Sequence, residues 1–241
     1  MYRHVLEDEP GWVEGLDRPK KKPSLPTILS IAQVRELLAL MSGTPRLIAN
    51  LIYGTGMRIN ECVQLRVKDI DFDNNSIVVR HGKGGKDRVT ILPQRLVDPL
   101  RAQILKVLSI HRQDCLRGGG FVPLPGALYK KYPRAANSFA WQYVFPSSAC
   151  RIWPKTGQLV RWHCSPSTPQ KGLKMALANS SIHKPASIHT LRHCFATHLL
   201  QSGVDLRTIQ ILLGHKKIDT TMIYTHIIKA EQNTISPFDL L

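Results

Sequence analysis

The sequence lacks long apolar runs, and it does not begin with a hydrophobic leader. Residues 1–9 are mostly polar, whereas a secretory signal carries an apolar stretch. No segment approaches the roughly 20 apolar residues that a membrane-spanning helix requires. We therefore expect a soluble, intracellular protein with no membrane partner.

Paired cysteines and clustered metal ligands are also missing. The five cysteines are scattered along the chain, at Cys62, Cys115, Cys150, Cys164 and Cys194. No CxxC pair or Cys/His cluster suggests zinc, and no carboxylate cluster favours a two-magnesium nuclease. The Gly/Lys segment 82–86 is not a P-loop, because it does not complete a Gly-x4-Gly-Lys-Ser/Thr motif. We expect reduced thiols, no metal, no cofactor and no small-molecule substrate.

Acidic residues are few. The chain has 33 Lys and Arg against 17 Asp and Glu, which gives a formal net charge of +16. Such an excess favours a polyanionic partner, nucleic acid first, although ribosomal and membrane-surface proteins carry it too. With 241 residues, 43% of them hydrophobic, the chain can form a real core in one large or two small domains.

The hydrophobic periodicity predicts mainly helices, with a group of strands in the first half of the chain. Capping and stop residues give the expected boundaries. The expected elements are helices starting near Ser30, Pro45, Arg58, Pro93, Ser167 or Thr168, His189, Asp205 and Asp219, and strands over residues 70–72, 76–80 and 88–92. Residues 118–165 lose regular periodicity, and residues 1–26 are interpreted as a linker.

Arg58 follows a Gly-x-Gly turn at the start of a predicted helix. Helix N-termini offer free amides to phosphate, and glycine allows the backbone to approach it closely. Glu61, three residues later on the same helix face, is placed to orient Arg58. The alternative is an ordinary Arg–Glu pair on the surface.

A second arginine, Arg192, lies three residues after His189 on one face of an amphipathic helix. An arginine at the buried edge of an apolar helix costs several kcal/mol unless it is paired. A bound phosphate or an acidic side chain would each serve as that partner. His193 and His198 match no motif, and we interpret them as structural or surface residues.

His215 follows a glycine helix stop, and Tyr224 comes nine residues later. Alone, such a tyrosine would most often be a packed residue with a hydrogen-bonded hydroxyl. Its hydroxyl, with an unperturbed pKa near ~10, is a weak nucleophile that needs cations to stabilise its anion. Two arginines, two histidines and a tyrosine are the residues needed to cut a phosphodiester through tyrosine.

Taken in order, Arg58, Lys83, His189, Arg192, His215 and Tyr224 resemble the catalytic set of the tyrosine recombinases. The resemblance covers residues 27–228, and it implies a mainly helical catalytic domain with a small antiparallel β-sheet. It also implies that Tyr224 attacks the scissile phosphate, that Arg58 and Arg192 hold its oxygens, and that His189 and His215 assist. Lys83 would protonate the leaving 5′ oxygen from a hairpin tip.

Within this family, residues 118–165 look like the insertion of the integron integrases, which helps to hold extrahelical bases of folded single-stranded cassette sites. Aromatic side chains there suit stacking on unpaired bases, with basic residues on phosphates. The alternative is a basic loop whose aromatics pack on the domain. The DNA-binding candidates are Lys86, Arg88, Lys130, Lys131, Trp141 and His163.

The resemblance also sets the expected organisation. Residues 1–26 would be the linker and remnant of an N-terminal DNA-binding domain, and residues 27–241 the catalytic domain. The expected protein inserts or excises gene cassettes as a tetramer on duplex or folded single-stranded DNA, in the bacterial cytoplasm at the nucleoid. Alternatives are a truncated, non-catalytic DNA-binding partner of a full-length recombinase and a type IB topoisomerase-like enzyme.

Overall fold

Helices dominate the described part of the chain, as predicted. The structure is a computed structural model that describes residues 26–80, 87–126 and 128–232, with only the backbone described at residues 130 and 226–232. The α-helices are α1 (Ile31–Leu40), α2 (Gly43–Thr55), α3 (Ile59–Val63), α4 (Val97–Leu116), α5 (Leu128–Lys131), α6 (Ser167–Ala178), α7 (Ile188–Gln201), α8 (Leu206–Leu213) and α9 (Asp219–Gln232). The strands are β1 (Ile70–Asp71), β2 (Ser76–Val79), β3 (Arg88–Ile91), β4 (Pro146–Ile152) and β5 (Leu159–His163).

Side-chain caps fix two helix starts where the sequence predicted them. Ser30 forms a capping box with Gln33 at the start of α1, and Asp205 accepts a hydrogen bond from the Thr208 amide at the start of α8. Both contacts satisfy amide groups that a helix start leaves free. The predicted start of α2 was wrong: α2 begins at Gly43, because Pro45 is tolerated within a first turn.

The first sheet is antiparallel in the order β1–β2–β3. Ile77 pairs with Thr90, and Val79 pairs with Arg88. Alternate side chains of β2, Ile77 and Val79, are buried, which fixes the register because a one-residue slip would expose them. Residues 81–86, predicted to form the hairpin tip that carries Lys83, connect β2 to β3 and lie outside the described residues.

Residues 118–165 are more regular than predicted, because β4 and β5 form an antiparallel hairpin with a register shift between Pro146 and Cys150. Arg161 of β5 makes two hydrogen bonds of 2.6 and 2.7 Å to the buried Asp114 carboxylate on α4. The ion pair lowers the pKa of Asp114. This ion pair between distant residues anchors the β4–β5 hairpin to α4. No local sequence pattern predicts it.

Helix α7 lies in the core and packs against α2 and α9. Leu191, Cys194 and Ala196 on α7 are fully buried. Gly56, which ends α2 with φ of 66°, faces Phe195, and a Cβ at Gly56 would lie 2.5 Å from its ring. Only glycine suits both the left-handed backbone and this approach. The close contact brings the turn before Arg58 onto α7.

Candidate active site

Arg58 and Glu61 form the pair that the sequence predicted. The Arg58 guanidinium donates to Glu61 Oε1 at 2.8 Å, and the Arg58 amide donates to Glu61 Oε2 at 2.8 Å. The Arg58 side chain is 24% exposed, whereas that of Glu61 is 7% exposed. Glu61 therefore orients Arg58 through two hydrogen bonds, and the exposed part of the guanidinium remains accessible to an anion.

Arg88, one of the predicted DNA-binding residues, makes contacts inside the protein. Its nitrogens donate to both oxygens of Glu61, at 2.9 and 2.7 Å, and to the Leu212 carbonyl. Burial alone would raise the pKa of Glu61, but hydrogen bonds from Arg88 and Arg58 outweigh it and lower that pKa to about 2. Arg88 is therefore an internal clamp that ties β3 to α3 and α8.

Arg192 on α7 is 2% exposed. Its guanidinium donates to the carbonyls of Gly56 and Leu213 and to His215 Nε2. Burial and the nearby charge of Arg58 lower the pKa of Arg192 to about 9, so Arg192 remains charged at neutral pH. None of these partners is an anion, and the part of the chain that the structure describes gives Arg192 no salt bridge.

His215 lies just after Gly214, which ends α8 in the left-handed conformation. Its Nε2 atom is 3.1 Å from Arg192 and its Nδ1 atom is 2.9 Å from the Thr221 hydroxyl. Because arginine only donates, Nε2 accepts and the ring proton lies on Nδ1. Burial and the charges of Arg192 and Arg58 lower the pKa of His215 to about 4, so the ring is neutral.

His189 and Tyr224 complete the described part of the predicted set. His189 is exposed, and partial desolvation with the charges of Arg192 and Arg58 lowers its pKa. Tyr224 on α9 is 1% exposed. Burial raises the pKa of Tyr224, while Arg192 and Arg58 act to lower it.

Sequence reasoning missed His193. Its Nδ1 atom lies 3.0 Å from the Tyr224 hydroxyl oxygen, so it contacts the predicted nucleophile directly. The one available signal was its position next to Arg192 and four residues after His189, which places His193 near the same helix face.

The two predicted lysines of the hairpin tip, Lys83 and Lys86, lie outside the described residues. The base of that hairpin is described. Arg80 there contacts Asp69 at 2.6 Å and Asp87 at 3.4 Å.

Four of the DNA-binding candidates lie in the insertion. Lys131 sits over the Tyr132 ring, and Lys130 lies on α5 with only its backbone described. Lys68 covers one face of Trp141, 2.9 Å from the ring centroid. His163 Nδ1 donates a hydrogen bond to the Cys164 carbonyl oxygen, and the ring packs edge-on against Tyr143. These aromatics are engaged within the domain.

The arrangement gathers positive charge with a single carboxylate among it. Arg58 and Arg88 contact Glu61, and the charge of Glu61 also acts on Arg192. Burial and the arginine charges lower the pKa of the adjacent His189 and His215. Such a site suits an anion with several oxygens, because guanidinium donors match phosphate. Among the described residues, no group of histidine, cysteine or acidic side chains is placed to hold a metal, and no helix there is long and apolar enough to cross a membrane.

Comparison with known proteins agrees with this geometry. The sequence model of the Phage integrase family matches residues 27–231. The chain belongs to the phage integrase family. It is therefore a tyrosine recombinase, an enzyme of DNA strand transfer.

Similar recombinases occur in bacteria and archaea. An integrase/recombinase from Escherichia coli is 45% identical over 242 residues, covering 100% of this chain and 72% of the relative. The tyrosine recombinase XerA of Thermococcus kodakarensis is 34% identical over 236 residues, covering 94% of this chain and 68% of that protein.

Solved structures share the fold. A XerA recombinase superposes with a TM-score of 0.60 at 25% identity, covering 89% of this chain and 68% of that one. A XerH recombinase in a post-cleavage complex with palindromic difH DNA gives 0.59 at 24% identity, covering 86% and 52%. The expected mainly helical fold with small antiparallel sheets is confirmed.

Proposed function

We propose that this recombinase cuts and rejoins DNA with Tyr224 as its nucleophile and with Arg58 and Arg192 on the scissile phosphate. The observation that carries the proposal is the buried Arg192 guanidinium, whose hydrogen-bond partners are all neutral. A buried charge without an anionic partner costs several kcal/mol. A phosphate entering beside Arg58 supplies the missing charge.

The chemistry is a transesterification. The Tyr224 oxygen bonds to phosphorus as the bond from phosphorus to the 5′ oxygen breaks, which leaves a 3′-phosphotyrosyl link and a free 5′-hydroxyl. A 5′-hydroxyl from another strand then attacks phosphorus and releases Tyr224. The phosphodiester energy stays in the tyrosyl link, so the exchange needs no ATP.

The remaining members of the set handle hydrogen bonds and protons. Burial, together with the charges of Arg192 and Arg58, lowers the pKa of His215 and His189. The negative charge of a bound phosphate favours their protonated, donating forms. His215 Nε2 lies 3.1 Å from the Arg192 guanidinium, and we assign both side chains to the same phosphate. Lys83 is assigned to protonate the leaving 5′ oxygen from the hairpin whose base is Arg80 and Asp87.

Covalent trapping on a nicked suicide substrate tests this function. The short 5′ fragment diffuses away after cleavage, so the adduct accumulates and survives SDS electrophoresis. We expect an adduct on a recombination site. DNA binding without any adduct would instead favour a non-catalytic DNA-binding protein. Relaxation of supercoiled DNA without synapsis would favour a topoisomerase.

We further propose that the substrates include folded single-stranded cassette sites, as the integron-like insertion suggests. A cleft of about 620 Å³ lies between the insertion and the first sheet, lined by Trp141, Tyr143, Trp162 and Arg66 among others. Its lining also includes Glu61, which places the cleft next to the catalytic cations. Aromatic rings and a guanidinium group in the lining of one cleft are suited to bind an unpaired base.

The variant Trp141→Ala separates the two substrate classes. Base stacking on an aromatic ring contributes about 1–3 kcal/mol, so binding of a folded site with an extrahelical base should weaken about 5- to 160-fold. A fully paired duplex site should lose far less, as measured by fluorescence anisotropy. Equal losses on both substrates would show that Trp141 serves the fold alone.

We also propose that subunits assemble on paired sites, up to a tetramer, because exchange between two duplexes involves four cut strands. Light scattering of the DNA complex measures the mass directly. A complex with one subunit per site under all conditions would rule this out.

A further inference from the structure

His193 contacts the Tyr224 hydroxyl but has no part in the six-residue set described above. The distance from His193 Nδ1 to the Tyr224 oxygen is 3.0 Å. The His193 ring also stands edge-on to His189, with centroids 4.9 Å apart. His193 therefore sits between the exposed mouth of the site and the buried tyrosine.

The Tyr224 hydroxyl must lose a proton before or during attack on phosphorus. At 1% exposure, Tyr224 is shielded from bulk water, and burial raises the pKa of its hydroxyl. A group in direct contact therefore has to take the proton. His193 Nδ1 can do so when its own ring proton lies on Nε2, since one nitrogen of a neutral imidazole accepts.

We propose that His193 is a catalytic residue that accepts the Tyr224 proton while the tyrosine oxygen bonds to phosphorus. This inference rests on the proposed function, in which Tyr224 is the nucleophile. One proton moves from the Tyr224 oxygen to His193 Nδ1, and the departing 5′ oxygen receives a proton from a separate donor, assigned above to Lys83. In the rejoining step His193 returns the proton to Tyr224.

The surrounding charges suit an acceptor that waits in the neutral form. His189, Arg192 and His215 face His193, together with Tyr224 itself. Burial, His189 and Arg192 lower the pKa of His193 to about 4. The ring is thus neutral before DNA arrives. The scissile phosphate then brings negative charge that favours the protonated ring.

The same helix carries a matched control. His198 Nδ1 lies 2.9 Å from the Tyr53 hydroxyl oxygen, and its Nε2 lies 3.0 Å from the Leu29 carbonyl oxygen. This second pair has nearly the same distances, although its rings meet at 82° rather than 51°, and it lies outside the cluster around Arg192. A variant that lacks the His198–Tyr53 hydrogen bond therefore measures how much a structural His–Tyr bond contributes to the cleavage rate.

The experiment compares His193→Asn with His198→Asn in single-turnover cleavage. Asparagine keeps a polar group near the Nδ1 position but cannot take up a proton. General-base catalysis contributes about 10²–10⁴-fold, so His193→Asn should slow adduct formation at least ~100-fold. The His198→Asn rate, per folded and DNA-bound enzyme, should stay within about threefold of wild type. Circular dichroism and DNA affinity confirm that both variants are folded.

A second substrate identifies the step. A 5′-bridging phosphorothiolate carries sulfur in place of the leaving 5′ oxygen, and a thiolate leaves without a proton donor. The His193→Asn defect should persist on this substrate, and its rate should rise with pH as hydroxide replaces the missing base. If the phosphorothiolate substrate restored the His193→Asn cleavage rate, His193 would act on the leaving group, and the proposal would be overturned.

The outcomes are distinguishable. An equal or faster rate for His193→Asn, with active wild type, overturns the role of His193 and leaves the proposed function standing. A wild-type enzyme that forms no adduct on either substrate overturns the proposed function, and the role of His193 falls with it.

Discussion

Helix α7 carries the histidines of two His–Tyr pairs that have nearly the same distances but different surroundings. The Nδ1-to-oxygen distances are 3.0 Å for His193–Tyr224 and 2.9 Å for His198–Tyr53. The ring centroids are 5.9 and 5.8 Å apart. A hydrogen bond from a buried tyrosine to histidine therefore does not by itself make a nucleophile.

The charges around the two tyrosines differ. Burial raises the pKa of both hydroxyls. Around Tyr224 the opposing influence comes from Arg192 and Arg58, the residues that we place on the scissile phosphate. Around Tyr53 it comes from Arg35 alone, and Cys194 raises the pKa of both hydroxyls. The converging arginines, more than the pair itself, make one site suited to phosphate.

Removing the two hydroxyls in turn should separate the pairs completely. Tyr224→Phe should abolish covalent DNA adducts and leave DNA binding nearly unchanged, because phenylalanine keeps the packing and loses the nucleophile. Tyr53→Phe should retain adduct formation and lose about 1 kcal/mol of stability with its hydrogen bond. Gel analysis of trapped adducts and urea unfolding provide the two readouts. Adducts that persist in Tyr224→Phe would show that another group attacks.

Removing the charge should make the catalytic pair resemble the structural one. Arg192→Ala leaves Tyr224 on His193 but takes away a donor that stabilises the phosphorane charge, so cleavage should fall about 10²–10³-fold. The carbonyls of Gly56 and Leu213 lose their donor, which costs about 1–3 kcal/mol. Arg192→Lys keeps the charge but lacks the planar guanidinium, so its cleavage rate should lie between those of Arg192→Ala and the wild type. An unfolded Arg192→Ala variant, with Arg192→Lys as active as wild type, would make Arg192 a structural residue.

Glu61, which contacts the catalytic Arg58, should make the free energy of unfolding depend on pH in the acidic range. Its pKa is lowered to about 2 in the folded protein, against roughly 4.3 in an unfolded chain. Its stabilising contribution is therefore fully present above about pH 5 and is lost as pH falls toward 2. Glu61→Gln should reduce the free energy of unfolding at pH 7 and remove about 2–3 kcal/mol of its dependence on pH in that range. Urea titrations of both proteins at several pH values measure this, and parallel curves would contradict it.

What the sequence predicted correctly was mostly local. The caps at Ser30 and Asp205, the stop at Gly214 and the pairing of Arg58 with Glu61 each depend on residues a few positions apart. The resemblance of the six ordered positions led to the family.

What it missed depends on contacts between distant positions. The hydrogen bonds of Arg88 to Glu61 join residues 27 positions apart, and the sequence did not predict them. The β4–β5 hairpin is fixed by Asp114 and Arg161, which are 47 positions apart. His193 contacts Tyr224 only because α9 packs against α7 in the folded domain. None of these contacts leaves a periodic signal in the sequence.

The most direct measurement is to identify the amino acid that carries DNA. Wild-type adduct from the suicide substrate is digested with nuclease and protease, and the nucleotide-bearing peptide is sequenced by mass spectrometry. We predict a single phosphotyrosyl peptide that contains Tyr224. A nucleotide on Tyr53, on another tyrosine or on a residue other than tyrosine would contradict the assignment of Tyr224 as the nucleophile.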